Sequence, residues 1–175
     1  PHANSTGAPA FGGGVVAFPV VATNDTDRAY LRTVSSNFAA SDFVAEITTT
    51  TTSALASARP FFGMGTALHG PNFYEPFGVP NVVAAALSNN TNLQTFDNGA
   101  LIDNIVGAAG LGTHRLQLTW NSVSQTATFA IHQNYTGGPF VATSTTIPID
   151  ASNNGFNGTN SHLFFGSAFG TTFDD

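Results

Sequence analysis

Along much of the chain polar and apolar positions alternate with a period of two, which is the mark of half-buried strands. The clearest run is 114–121, where Leu116, Leu118 and Trp120 share one face and Arg115, Gln117, Thr119 and Asn121 the other. A short polar turn over 122–125 leads into 126–133, in which Ala127, Phe129 and Ile131 point one way. Two alternating runs joined by a tight polar turn predict a β-hairpin. Further strands are predicted at 29–34, 43–49, 61–67, 82–88, 140–147 and 162–169, with Pro and Gly punctuating the gaps at 70–71, 76–80, 137–139 and 153–158. In 101–111 small apolar residues are interrupted by Gly107 and Gly110, so this stretch reads as a helical turn or a loop. Many short strands with loops between them predict an all-β fold, an antiparallel β-sandwich or jelly roll.

The first fourteen residues, PHANSTGAPAFGGG, are small and polar or Gly- and Pro-containing, and predict an extended flexible leader. They run into the apolar segment 15–21, VVAFPVV, with Val16, Phe18 and Val20 on one face. Pro19 cannot donate a backbone hydrogen bond, which places this strand at a sheet edge. The start at Pro1, without Met or an apolar signal stretch, reads as that of a processed product.

Composition narrows the function classes. Charged residues are 8% of the chain and Lys plus Arg number 4, all of them arginine (Arg28, Arg32, Arg59 and Arg115), so a basic nucleic-acid face is excluded. At 42% hydrophobic, including 16 Phe, the chain has the material for one core in 175 residues. No apolar run approaches the ~20 residues of a membrane span. The absence of Cys excludes thiolate metal sites and Cys nucleophiles. Polarity comes from Thr, Ser, Asn and Gly, which suits an extracellular or cell-surface protein. Glycosylation sequons stand at Asn4, Asn24, Asn89, Asn134 and Asn157. The run 48–52 of threonines reads as an exposed β-edge, with O-glycosylation as the alternative.

Two segments, THRLQLTWNSVSQTATFAIHQ and SHLFFGSAFGTTFDD, resemble the concanavalin A-like lectin and glucanase superfamily, closest to its laminin G-like and bacterial lectin-like jelly rolls. Upstream, DFVAEITTT and RPFFGMGTA look like early core strands of that family, so the resemblance covers 38–175. It implies a concanavalin A-like jelly roll. Together with the reading of the N-terminal segment, the expected organisation is an extended leader and candidate donor strand over 1–22 and a lectin-like jelly-roll domain over 23–175. In such domains a phrase like TTFDD leads into a last strand that closes the sheet beside the N-terminal strand. Here the sequence stops at Asp175, so the expectation is an open edge, and an open edge is a template for another chain.

Glycoside hydrolysis is the enzymatic chemistry that the resemblance makes relevant, and it needs two facing carboxylates about 5–9.5 Å apart. Family hydrolases carry them as Glu-x-Asp-x-x-Glu on one strand; here Glu46 is followed by Ile47 and Thr48, and the expectation is a protein that is not an enzyme. No cofactor or metal is expected, and calcium, the ion that the resemblance implies, is the alternative. Asp97, Asn98 and Asp103 form the best local oxygen cluster for it, although Asx residues beside Gly also make turns. His114 and His132 have the same parity in the two hairpin strands and could meet across them. A sugar platform would use Asn72, Phe73 and Tyr74, in a Gly- and Pro-rich loop.

The function expected from these features is an extracellular structural subunit, glycosylated, that assembles head-to-tail with copies of itself. Val15, Val16, Phe18, Val20 and Val21 would complete the neighbour's sheet by strand donation. The alternative is a monomeric lectin-like adhesion module that binds glycans, and behind it a glycoside hydrolase.

Overall fold

A computed structural model of the chain describes residues 2–3, 10–12, 15–18, 28–51, 59–66, 78–88, 91–168 and 171–174. They form β1 (His2–Ala3), β2 (Ala10–Gly12), β3 (Val15–Phe18), β4 (Arg28–Arg32), β5 (Phe43–Thr51), β6 (Arg59–Gly65), β7 (Val82–Ser88), β8 (Asn92–Asp97), β9 (Ala100–Ile105), β10 (Gly112–Asn121), β11 (Thr126–His132), β12 (Ser144–Thr145), β13 (Ile149–Asp150), β14 (His162–Ala168) and β15 (Thr171–Asp174). Single 3-10 turns lie at Phe38–Ala40 and Ser152–Asn154. The strands make two antiparallel sheets, an all-β sandwich. The first has seven strands in the order β1-β4-β14-β6-β7-β8-β9, and the second has eight, in the order β12-β11-β10-β5-β15-β3-β2 with β13 also on β11.

The alternation at 114–133 does what it predicts. Leu116, Leu118 and Trp120 of β10 and Ala127, Phe129 and Ile131 of β11 all face inward and are buried. They meet Phe62, Met64, Val83, Ala85, Leu87 and Leu93 of the first sheet in the main core. The first sheet has a second apolar cluster on its far side, made by Tyr30, Phe61, Val82, Ala84, Ala86, Phe96 and Phe164. Burial on both faces is why β7 reads as a continuous apolar run instead of an alternating one.

Several expectations are corrected. Residues 92–105, where no strand is predicted and whose last part falls in the 101–111 stretch read as a helical turn or a loop, form the β8–β9 hairpin. Asn98 and Gly99, at φ 47° and 81°, make the left-handed two-residue turn that matches strand twist. The predicted strand 140–147 is mostly irregular. Thr143 and Thr146 hydrogen-bond with side chain and backbone to β11, at Ile131 and Phe129, and so stand in for a regular ladder. The threonine run is no edge: β5 lies between β10 and β15, and Thr48, Thr49 and Thr51 are buried.

The largest correction concerns the open edge. The segment TTFD does not lead into a closing strand; it is one, β15, paired with β5 on one side. On the other side β15 pairs with β3 of the same chain, with Thr171 opposite Phe18 and Asp174 opposite Val15. Val16 packs against the main core. Val15, Val16 and Phe18 therefore complete their own sheet, because the apolar alternation that suits a donor strand suits an intramolecular one equally. Val20 and Val21 lie outside the described residues. His2–Ala3 and Ala10–Gly12 of the expected leader are likewise strands, paired with β4 and β3.

Candidate functional site

The outer face of the second sheet carries a half-buried polar cluster. Alternation along β5 and β10 turns Glu46, Arg115 and Gln117 outward, opposite the core-facing Ile47, Leu116 and Leu118. Register then fixes their neighbours. Gln117 lies between Glu46 on β5 and Ala130 on β11, and Arg115 lies between Thr48 and His132. Arg115 Nε sits 2.8 Å from Glu46 Oε2, and Gln117 Nε2 donates to Glu46 Oε1 at 2.7 Å. The Arg115 and Glu46 side chains are 23% and 25% exposed, so water still reaches the pair.

The segment after β11 folds back over this cluster. Arg115 Nη1 donates to the Tyr135 hydroxyl at 2.6 Å, and that hydroxyl donates to the Gly138 carbonyl at 2.8 Å. The guanidinium carbon also lies 5.1 Å from the Tyr135 ring centroid. The His132 ring meets Tyr135 and Phe140 edge-on, with centroids 5.2 and 6.1 Å apart, and its Nδ1 accepts from the Val141 N–H at 3.2 Å. Three aromatic rings, a carboxylate, a carboxamide and a guanidinium thus share one surface. Such groups hydrogen-bond vicinal hydroxyls and stack on the C–H face of a sugar ring.

Two-carboxylate hydrolysis would need a second acid here. Glu46 is the one carboxylate on β5, β10 and β11, and both of its oxygens are engaged by neighbours. Among the described residues no group of three or more His, Asp or Glu is placed to hold a metal ion.

The oxygens of the calcium candidates already accept protein donors. Asp97 accepts from the Asn154 side chain. Asn98 Oδ1 accepts from the Asn81 N–H at 2.7 Å. Asp103 accepts from the Asn104 and Ile147 N–H groups at 2.8 and 3.2 Å, which ties β9 to the segment before β13. The sugar platform Asn72, Phe73 and Tyr74 and the sequons Asn4, Asn24 and Asn89 lie outside the described residues. Asn134 and Asn157 are exposed, and Asn157 Oδ1 accepts from the Thr159 N–H and hydroxyl within its own sequon.

His114 and His132 do not meet. The hairpin register pairs odd positions with even ones, so two even-numbered residues fall on opposite faces. His132 lies in the outer cluster, whereas His114 is fully buried. Its Nε2 bonds to the Gly110 carbonyl at 2.9 Å and its Nδ1 accepts from the Asn134 N–H at 3.3 Å. Burial pushes this imidazole below its ordinary range, with the Gly110 bond acting in the opposite direction.

Sequence reasoning reached Glu46 as a candidate acid, and Arg115 and Gln117 as the polar face of a hairpin, without joining them. The signal was present in part: a lone strand carboxylate and an arginine in a chain with only 4 cations. His132 lies in the predicted 126–133 strand and Phe140 begins the predicted 140–147 strand, but nothing in the pattern joins them to Glu46, and Tyr135 falls in no predicted element.

No protein-family model matches the chain, and no curated protein matches it by sequence. Solved structures match it by shape. Lectin I from Ulex europaeus, in complex with the methyl glycoside of α-L-fucose, superposes with a TM-score of 0.56 at 13% identity, over 92% of this chain and 87% of that one. Peanut lectin bound to a 9mer peptide superposes with a TM-score of 0.53 at 11% identity, over 98% and 94%. The PSpry domain of TRIM65 gives 0.51 at 14% identity, over 77% of this chain, which spans 62% of that one. Likeness at these identities carries the fold alone, and the fold is the concanavalin A-like jelly roll that the sequence resembles.

Proposed function

We propose that this chain is an extracellular carbohydrate-recognition module whose binding surface is the outer face of β5, β10 and β11. The observation that carries the reading is the half-exposed cluster of Glu46, Arg115, Gln117, His132, Tyr135 and Phe140. It combines planar hydrogen-bonding groups with aromatic rings on a rigid sheet. Rigid placement lowers the ordering cost of binding. The fold is one that lectins use, which supports the reading without selecting a sugar. The exposed sequons Asn134 and Asn157 support attached glycans. Among the described residues no helix is long and apolar enough to cross a membrane.

A glycan library screened against the purified chain is expected to give binding with calcium and equally with chelator. Tyr135→Ala and Gln117→Ala are each expected to weaken it about tenfold or more, near 1.4 kcal/mol. No binding to any glycan under either condition contradicts the proposal.

A second reading is head-to-tail assembly of copies into a filament. What supports it is that β3 is a short segment near one end of the chain, held by β15, β2 and the contact of Val16 with the main core, all of which an identical β3 from another copy would reproduce by strand exchange. Size-exclusion chromatography is expected to show concentration-dependent multimers that vanish when residues 1–22 are deleted. Equal folded monomers from both chains contradict it.

A further inference from the structure

We infer that His114 is an acid-sensitive latch that holds the 134–143 segment closed over the outer face of the second sheet, independently of what that face binds. The geometry defines the device. The neutral imidazole with its proton on Nε2 donates to the Gly110 carbonyl and uses Nδ1 to accept from the Asn134 N–H. Both partners are backbone groups of loops, one before β10 and one after β11, so a single buried side chain ties two loops together. Protonation adds a hydrogen at Nδ1, which then faces the Asn134 N–H donor to donor, and the bond is lost.

Asn134 anchors the segment. It holds φ at 55°, the left-handed conformation that asparagine adopts more readily than most non-glycine residues, and so turns the chain out of β11. The next residue, Tyr135, donates its N–H to the Thr113 carbonyl at 2.8 Å and places its hydroxyl between Arg115 and Gly138. Release of Asn134 therefore loosens the residue that covers the Arg115–Glu46 pair.

Among the described residues of β5, β10 and β11, the charged and titratable groups other than His114 lie on the other side of the sheet. Glu46 of β5, Arg115 of β10 and His132 of β11 all face outward, and Thr49 is the ladder partner of His114 on β5. The 106–111 loop carries no ionisable side chain, and Tyr135 is the one on 133–143. Burial disfavours protonation of His114, and among the described residues no ion pair to it is seen. The sign follows from linkage. The free imidazole titrates near 6.5, and the closed form binds its proton less readily. The latch is then intact above that pH, and opening rises by up to about tenfold for each pH unit below it.

Amide exchange by NMR between pH 7.5 and 4.5, corrected for intrinsic rates, tests this together with the ring nitrogen shifts of His114. Protection at Asn134 and Tyr135 is expected to fall as His114 titrates, while Ala84 and Ala85 in β7 keep theirs. His132→Gln, which alters the partner of the Val141 N–H, should leave the Asn134 response intact. In His114→Gln, whose carboxamide supplies one donor and one acceptor without titrating, the Asn134 response should be flat. Should that variant fail to fold, the wild-type titration decides alone. Asn134 protection that stays constant while His114 protonates overturns the proposal, as does an unchanged pH response in His114→Gln.

Discussion

Replacing Trp120 with alanine is expected to cost about 3–5 kcal/mol, the range for deleting a large buried aromatic. The residue is 1% exposed and occupies the inner face of β10 opposite Phe43 of β5 and Ala127 of β11. Its ring stands edge-to-face on Phe156 at 5.8 Å, and its indole N–H donates to the Ala39 carbonyl at 3.4 Å. One side chain thus joins the hairpin to the 3-10 turn before β5 and to the irregular segment before β14. The rigid strands on either side leave little means of collapse into the void. Domains of this kind have about 5–15 kcal/mol in total, so Trp120→Ala is expected to bring the urea midpoint down by a large fraction, and Trp120→Phe by less. A loss below about 1 kcal/mol would show that Trp120 is not the keystone of this end of the core.

The second large effect is expected from adding a side chain at Gly63. A Cβ there would stand 2.4 Å from the Val83 carbonyl oxygen and 2.6 Å from the Ala84 Cβ, against the ordinary cross-strand Cβ separation of about 4.5–5.5 Å. Gly63 is the register partner of Ala84 in the middle of the β6–β7 ladder. Backbone sets the contact, so no side-chain rotation relieves it. Overpacking costs about 1–3 kcal/mol where neighbours can yield, and here the strands themselves would have to part. Gly63→Val is expected to give less folded protein and a thermal midpoint several degrees lower, with Gly63→Ala intermediate. A wild-type midpoint in Gly63→Val would mean that β6 and β7 are not so closely paired.

The two effects also show where the sequence was legible. Trp120 was readable as core because β10 and β11 each bury one face and wet the other, and a period of two survives intact in such strands. Strand β7 was readable from its apolar run. Strand β9 was not, because an irregularity in its pairing, between Thr95 and Phe96 on β8, shifts the register and breaks the alternation. Strand β15 is four residues long, and its partners β5 and β3 are remote in sequence, so no local pattern announces it. The site followed the same division. Glu46, Arg115 and Gln117 could each be seen as outward residues of strands, but only the register between β5 and β10 brings them together. Tyr135 and Phe140 reach the cluster through a turn at Asn134 that depends on a buried histidine, and such long-range dependence has no periodic trace.

The recognition surface itself is open to direct mapping. Backbone and side-chain NMR shifts of the labelled chain, followed while a glycan from the library screen is added, report where the sugar sits. The account predicts that Glu46, Gln117, His132 and Tyr135 and the Arg115 guanidinium move together in saturable fashion. Shifts confined to the Asn98–Gly99 turn, or spread over the opposite sheet with that cluster unmoved, would contradict it.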